Sequence, residues 1–162
     1  MKKRIIFTIL TFALLVSCKK EEIIKQSIPI TVNNLVGTYE LIDRVIDVYF
    51  DNGTSQHTNN HFSPTNQRII FSKVVTNGVE ESNKVKVIHE CRNPNTGLWE
   101  LLNPSYPYEI WILNGNILYN EIFPDPQRSC EITESGLILT VNTSWTDNSP
   151  GHSTQIETFN KE

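Results

Sequence analysis

Apolar and polar residues alternate along most of this chain at a period of two, the spacing of a half-buried strand. Val85, Val87 and His89 fall on one face of a predicted strand over 79–90, with Lys86 and Ile88 on the other. Leu137, Leu139 and Val141 make the apolar face of another, over 137–145. Strands are also predicted over 68–76, 106–113, 117–123, 127–134 and 154–160. The segment 42–50 fits either period. Its Val, Tyr and Phe residues favour a strand, with a bulge near Ile42. Turn chemistry falls between these segments: Asp51-Asn52-Gly53, Asn77-Gly78, Asn114-Gly115-Asn116 and Ser135-Gly136. Residues 54–66 are polar and read as a loop. Pro29 suits Ile28–Val32 to an extended strap. No segment has a convincing helical period. Eight or nine short strands joined by tight turns predict a barrel or sandwich, and sequential hairpins favour an up-and-down meander.

The first 17 residues differ from the rest. Lys2, Lys3 and Arg4 form a basic head, Ile5 to Val16 is an apolar run broken only by Thr8 and Thr11, and Ser17 is small. The run is shorter than the roughly 20 residues a spanning helix needs, so it reads as a signal peptide. Leu15-Val16-Ser17-Cys18 resembles a bacterial lipobox, which implies acylation of Cys18, palmitate included, and a mature chain starting there. The alternative is an ordinary signal peptide cut near a cysteine. Lys19-Lys20-Glu21-Glu22 resembles the display signal of Bacteroidetes-type lipoproteins, and otherwise reads as a solvated tether. The predicted organisation is a signal peptide over 1–17, a lipidated tether over 18–33 and one domain over 34–162. The lipid bilayer is then a partner through Cys18. The place is the outer membrane, surface-exposed or periplasm-facing.

The full chain has 14 basic and 18 acidic residues, a net charge of −4. Loss of Lys2, Lys3 and Arg4 leaves 11 against 18, a net of −7, which disfavours nucleic acid as a partner. With Cys18 assigned to lipid, Cys91 and Cys130 remain as a pair in a compartment that permits disulfides, and a Cys91–Cys130 bond is expected. The alternative is two buried thiols far apart.

Gly37-Thr38-Tyr39-Glu40-Leu41 and Gly97-Leu98-Trp99-Glu100-Leu101 share the form Gly-x-aromatic-Glu-Leu. The first resembles the opening Gly-x-Trp strand of lipocalin-like proteins, with Tyr39 in the place of Trp. The second resembles the mid-chain strand of small lipocalin-like lipoproteins of Bacteroidetes, and Cys130–Thr140 resembles their late hairpin. The resemblance covers roughly residues 35–160. It implies an all-β fold, an antiparallel up-and-down β-barrel of about eight strands with a cup-shaped interior.

Candidate chemistry is sparse. His57-x-x-x-His61 has metal-pair spacing only on a helix, and it lies among Thr, Asn and Ser. His89 and Glu90 are adjacent on a strand and point to opposite faces. Glu109 and Glu121 lie on neighbouring predicted strands with nothing that marks them as acids of a hydrolase. No catalytic residues, metal site or cofactor are assigned, and the chain is expected not to be an enzyme. Aromatic residues are the candidate ligand contacts: Tyr39, Trp99, Tyr106, Tyr108 and Tyr119, each with core packing as the alternative. Two functions follow. One is a membrane-anchored binding protein for a small apolar or amphipathic ligand. The other is an accessory lipoprotein that binds an envelope protein or glycan through its surface.

Overall fold

A computed structural model describes residues 28–61, 66–146 and 150–162. It contains one helical turn, α1 (Val32–Leu35), and ten strands: β1 (Gly37–Phe50), β2 (Ser55–His61), β3 (Gln67–Thr76), β4 (Val79–Arg92), β5 (Trp99–Leu101), β6 (Glu109–Asn114), β7 (Ile117–Asn120), β8 (Arg128–Ile132), β9 (Gly136–Trp145) and β10 (Gly151–Lys161). All pair antiparallel.

The ten strands occupy eight rows. β3 pairs with Gly37–Glu40 of β1 and β2 with Asp43–Tyr49, so β2 and β3 make one interrupted row. β5 and β6 likewise share the flank of β4. The rows follow chain order, and pairing of β10 with β1 closes the ring. The result is the expected lipocalin-like, up-and-down eight-stranded barrel. Closure removes the sheet edges that would otherwise invite association.

Several expectations are refined. Residues 55–61 form a strand rather than a loop. Ser55 to Thr58 are exposed, so pairing of backbone with the outer half of β1 makes β2, not side-chain burial. β6 begins at Glu109 rather than Tyr106, because Pro107 has no N–H to give a ladder. The expected strap ends in α1, whose N-cap Thr31 Oγ1 accepts a hydrogen bond from Asn34 N at 3.2 Å. The bulge expected near Ile42 is present as a register shift between Leu41 and Asp43.

The expected Cys91–Cys130 disulfide is corrected: both cysteines are free thiols. β4 and β8 are three rows apart. At about 4.8 Å per row their Cα atoms lie well beyond the roughly 7 Å limit for a disulfide. Cys130 is buried, and burial pushes its thiol pKa up to about 12.

The core fills one half of the barrel. Tyr39, Phe71, Val85, Val87, Trp111, Leu118, Leu137 and Leu139 are all within 1% of complete burial. Val32 and Leu35 of α1 are buried in the same cluster, which plugs this end. Tyr39 Oη donates to Asn34 O at 3.3 Å, tying the first strand to the plug. Gly136 starts β9 where it crowds β10: a Cβ there would sit 1.8 Å from Phe159 O. Gly136→Ala is expected to force the two backbones apart and cost roughly 1–3 kcal/mol, as overpacking does. Urea unfolding of the variant checks this, and an unchanged midpoint contradicts it.

Candidate functional site

The same alternation that builds the core turns polar two residues further toward the other end. Cys130 is followed on its face by Arg128, Phe159 by Glu157, Val87 by His89, Ile69 by Gln67, Trp111 by Glu109 and Leu118 by Asn120. Six of the eight rows therefore change from apolar to polar at the same level. A seventh joins through the bulge. Without the register shift after Leu41, Arg44 would face outward; with it, Arg44 stands opposite Glu157.

Five of these rows give a polar side chain from this level to a cup of about 350 Å³: Arg44, Gln67, His89, Arg128 and Glu157. Its lining also includes Trp111. Arg44 binds Glu157 Oε1 through Nε at 2.8 Å and Nη2 at 2.6 Å, and donates from Nη2 to Gln67 Oε1 at 3.0 Å. Gln155 Nε2 adds a bond to Glu157 Oε1 at 3.0 Å. Glu109 Oε2 accepts from Trp111 Nε1 at 2.6 Å and from Asn120 Nδ2 at 2.8 Å. The Arg128 guanidinium lies 4.5 Å from the centre of the Trp111 ring, and the His89 ring lies 5.7 Å from it. Half-buried charges at this density are held by pairing and by multiple donors, as desolvated ions require.

A recess of about 210 Å³ adjoins the cup. His89 and Leu102 line both, and the recess adds Val87, Tyr106, Tyr108 and Glu109. A larger groove of about 740 Å³ runs past Ser129, Thr140 and Asn142. These residues alternate with the inward Cys130, Leu139 and Val141, so the groove is on the outside of the wall, and it brings no aromatic ring and no ion pair.

The expected aromatic contacts divide. Tyr106 and Tyr108 line the recess, from the loop before β6. Tyr39 faces inward but is sealed at the closed end, edge-on to Phe71 at 5.8 Å. Trp99 lies between Arg68, at 4.3 Å, and Arg92, at 5.9 Å, and does not itself line the cup. Tyr119 is on the opposite face of β7 from buried Leu118. None of these three lines the cup or the recess. Glu109 and Glu121 also part: Glu109 is in the site, while Glu121 pairs with Lys84 at 2.7 Å. His57 Nδ1 meets Asp47 Oδ1 at 2.5 Å across the β1–β2 pair, a carboxylate not adjacent in sequence. Among the described residues no three His, Cys, Asp or Glu side chains converge as a metal site. Cys18 and the display-like tetrapeptide lie outside the described residues.

Arg44, Gln67, Asn120, Arg128, Gln155 and Glu157 were not among the sequence candidates. Their signal is a polar residue continuing an apolar face at period two, which for Arg44 is hidden by the bulge.

No family model matches the chain, and no curated protein matches it. Among solved structures it is similar to the S-type phycobiliprotein lyase CPES from Guillardia theta, over 81% of this chain and 90% of that one, at 9% identity and a TM-score of 0.40. The expectation that the chain is not an enzyme is corrected by this finding: the neighbour is named a lyase, so a lack of familiar motifs does not exclude catalysis here. Nothing of that protein's chemistry is carried to this chain.

Burial is the largest influence on His89 and pulls its pKa below the ordinary 6.5; Arg128 acts in the same direction, while Glu109 and Glu157 oppose. The folded chain therefore keeps His89 neutral at a pH where the unfolded chain protonates it. Its contribution to stability is complete above the unfolded value and is lost as pH falls through the folded one. His89→Gln is expected to flatten the fall in urea midpoint between pH 7 and pH 5. An identical pH slope in the variant contradicts this.

Proposed function

We propose that this chain is an exported, lipid-anchored protein whose lipocalin-like barrel binds a small amphipathic molecule in its cup. The observation that carries the reading is the cup itself. The barrel is sealed and apolar at one end, and at the other holds about 350 Å³ bordered by fixed polar groups, with an aromatic-lined recess beside it. Small-molecule sites have this form: a concave space of a few hundred Å³ with few, well-placed polar groups. The cup is more polar than an apolar ligand alone would call for, so an amphipathic one is favoured. Anchoring rests on Leu15-Val16-Ser17-Cys18 behind the basic head and apolar run. Several acyl chains on one cysteine, at about 0.8 kcal/mol per CH₂ buried, would hold the domain at a membrane. The Lys19-Lys20-Glu21-Glu22 segment supports the outer membrane as its place, on either face.

A second reading has its own support. Leu98, Leu102, Tyr106, Tyr108, Ile122 and Phe123 are all more than half exposed, an apolar presentation that suits contact with an envelope protein or glycan.

Native mass spectrometry of the chain isolated from its own host tests the first reading on two counts. The expected result is an acylated chain beginning at Cys18 that carries one small molecule of defined mass. A chain that begins elsewhere contradicts the anchor. A bare mass under conditions that keep the fold contradicts the ligand, and moves the function to the exposed apolar surface.

A further inference from the structure

The charged groups of the cup are unequally committed. Arg44 is occupied by Glu157 and Gln67. Arg68, at the edge of the lining, pairs with Glu90 at 2.6 Å and meets Glu162 at 3.6 Å. Glu109 and Glu157 each accept from at least two donors. Arg128 differs. Its one side-chain hydrogen bond among the described residues runs from Nη1 to Pro126 O, at 3.3 Å, and no carboxylate reaches it as an ion pair. A guanidinium has five N–H donors in a planar fork, so most of this fork is unspent.

The position of Arg128 is also fixed. Its guanidinium packs on Trp111, and Trp111 is held in turn by the core and by Glu109. Arg128 is half-buried, and burial draws its pKa down, with Glu109 and Glu157 offsetting this from a distance. An oriented fork that lines a cavity and is paired with no carboxylate among the described residues matches a planar anion with two oxygens, since guanidinium and carboxylate form two parallel bonds. A cationic group has less to gain, because Glu157 is already neutralised by Arg44 and Glu109 already takes two donors.

The space beyond the fork is largely apolar and aromatic; Asn103 and Glu109 also line it, and the Glu109 carboxylate is already bonded to Trp111 and Asn120. From the cup the route past His89 and Leu102 leads into the recess with Val87, Tyr106 and Tyr108. Leu102, Tyr106 and Tyr108 are exposed at its opening. We propose that the cup takes a small organic carboxylate, with its head on the Arg128 fork and its apolar body passing His89 into the Leu102–Tyr106–Tyr108 recess. This rests on the reading that the cup holds a small ligand.

Isothermal titration of the full chain with two probes tests it: octanoate, and octan-1-ol as the neutral head on the same chain length. The expected result is octanoate binding at least tenfold tighter than octan-1-ol. Arg128→Gln is expected to lose at least tenfold for octanoate with octan-1-ol unchanged. Arg128→Lys, which keeps the charge without the fork, falls between. Equal affinity of the wild type for the two probes overturns the carboxylate assignment and leaves the cup as a ligand site. So does undiminished octanoate binding by a folded Arg128→Gln variant. No binding of either probe overturns the cup reading and this assignment with it. If Arg128→Gln does not fold, the wild-type ratio decides alone.

Discussion

Trp111 is the residue on which the two halves of the barrel meet. Its ring is 1% exposed and packs edge-on to Phe71 at 6.1 Å, and Phe71 packs edge-on to Tyr39 at 5.8 Å. This line of rings runs from the plugged end to the centre. On its other side Trp111 gives its indole N–H to Glu109 and carries Arg128 and His89 on its surface. An aromatic ring with one polar edge suits such a boundary, because it fills a core and still satisfies a charged neighbour. Truncating it would cost about 3–5 kcal/mol by cavity formation. It would also leave Glu109 without its shortest bond and Arg128 without a support. Stability of the closed half and order in the cup therefore depend on the same side chain.

Two irregularities in the ladder make the cup. The register shift after Leu41 turns Arg44 inward, where it neutralises Glu157. A regular β1 would set Asp43 opposite Glu157, carboxylate against carboxylate, and leave Glu157 without its counter-ion. The interrupted row of β5 and β6 leaves a gap in the pairing along β4, between Val87 and Glu90. The segment between β5 and β6 brings Leu102, Tyr106 and Tyr108 to the recess there. Closure supplies rigidity, and the break supplies the apolar surface beside the cup.

The fold was legible because strand alternation and turn chemistry agree along the chain. Asn77-Gly78 illustrates this: both residues take positive φ, 53° and 81°, as a tight hairpin needs. Ser55–His61 was hidden because its pairing owes nothing to an apolar face. The site was less legible than the fold. Aromatic residues drew attention, yet Tyr39 and Trp99 are held by packing and stacking outside the cup. The residues that line it look in sequence like ordinary polar positions. Arg128 and Glu157 each continue an apolar face by one step, but the meeting of Glu157 with Arg44 depends on the bulge and on closure between β10 and β1. The cysteine pair misled for a related reason: an even count says nothing of distance, and three rows of sheet separate β4 from β8.

The central claim is that the open half of the barrel, floored by Trp111 and Arg128, receives a small molecule. Nuclear magnetic resonance of the ¹⁵N-labelled chain, titrated with a small-molecule extract of its host, tests this most directly. Saturable shifts at the Trp111 indole N–H, the Arg128 side-chain N–H and the His89 ring, with the Trp99 indole N–H unmoved, are the result expected. Shifts confined to Trp99 and the outer strand faces, with Trp111 and Arg128 silent, would contradict it.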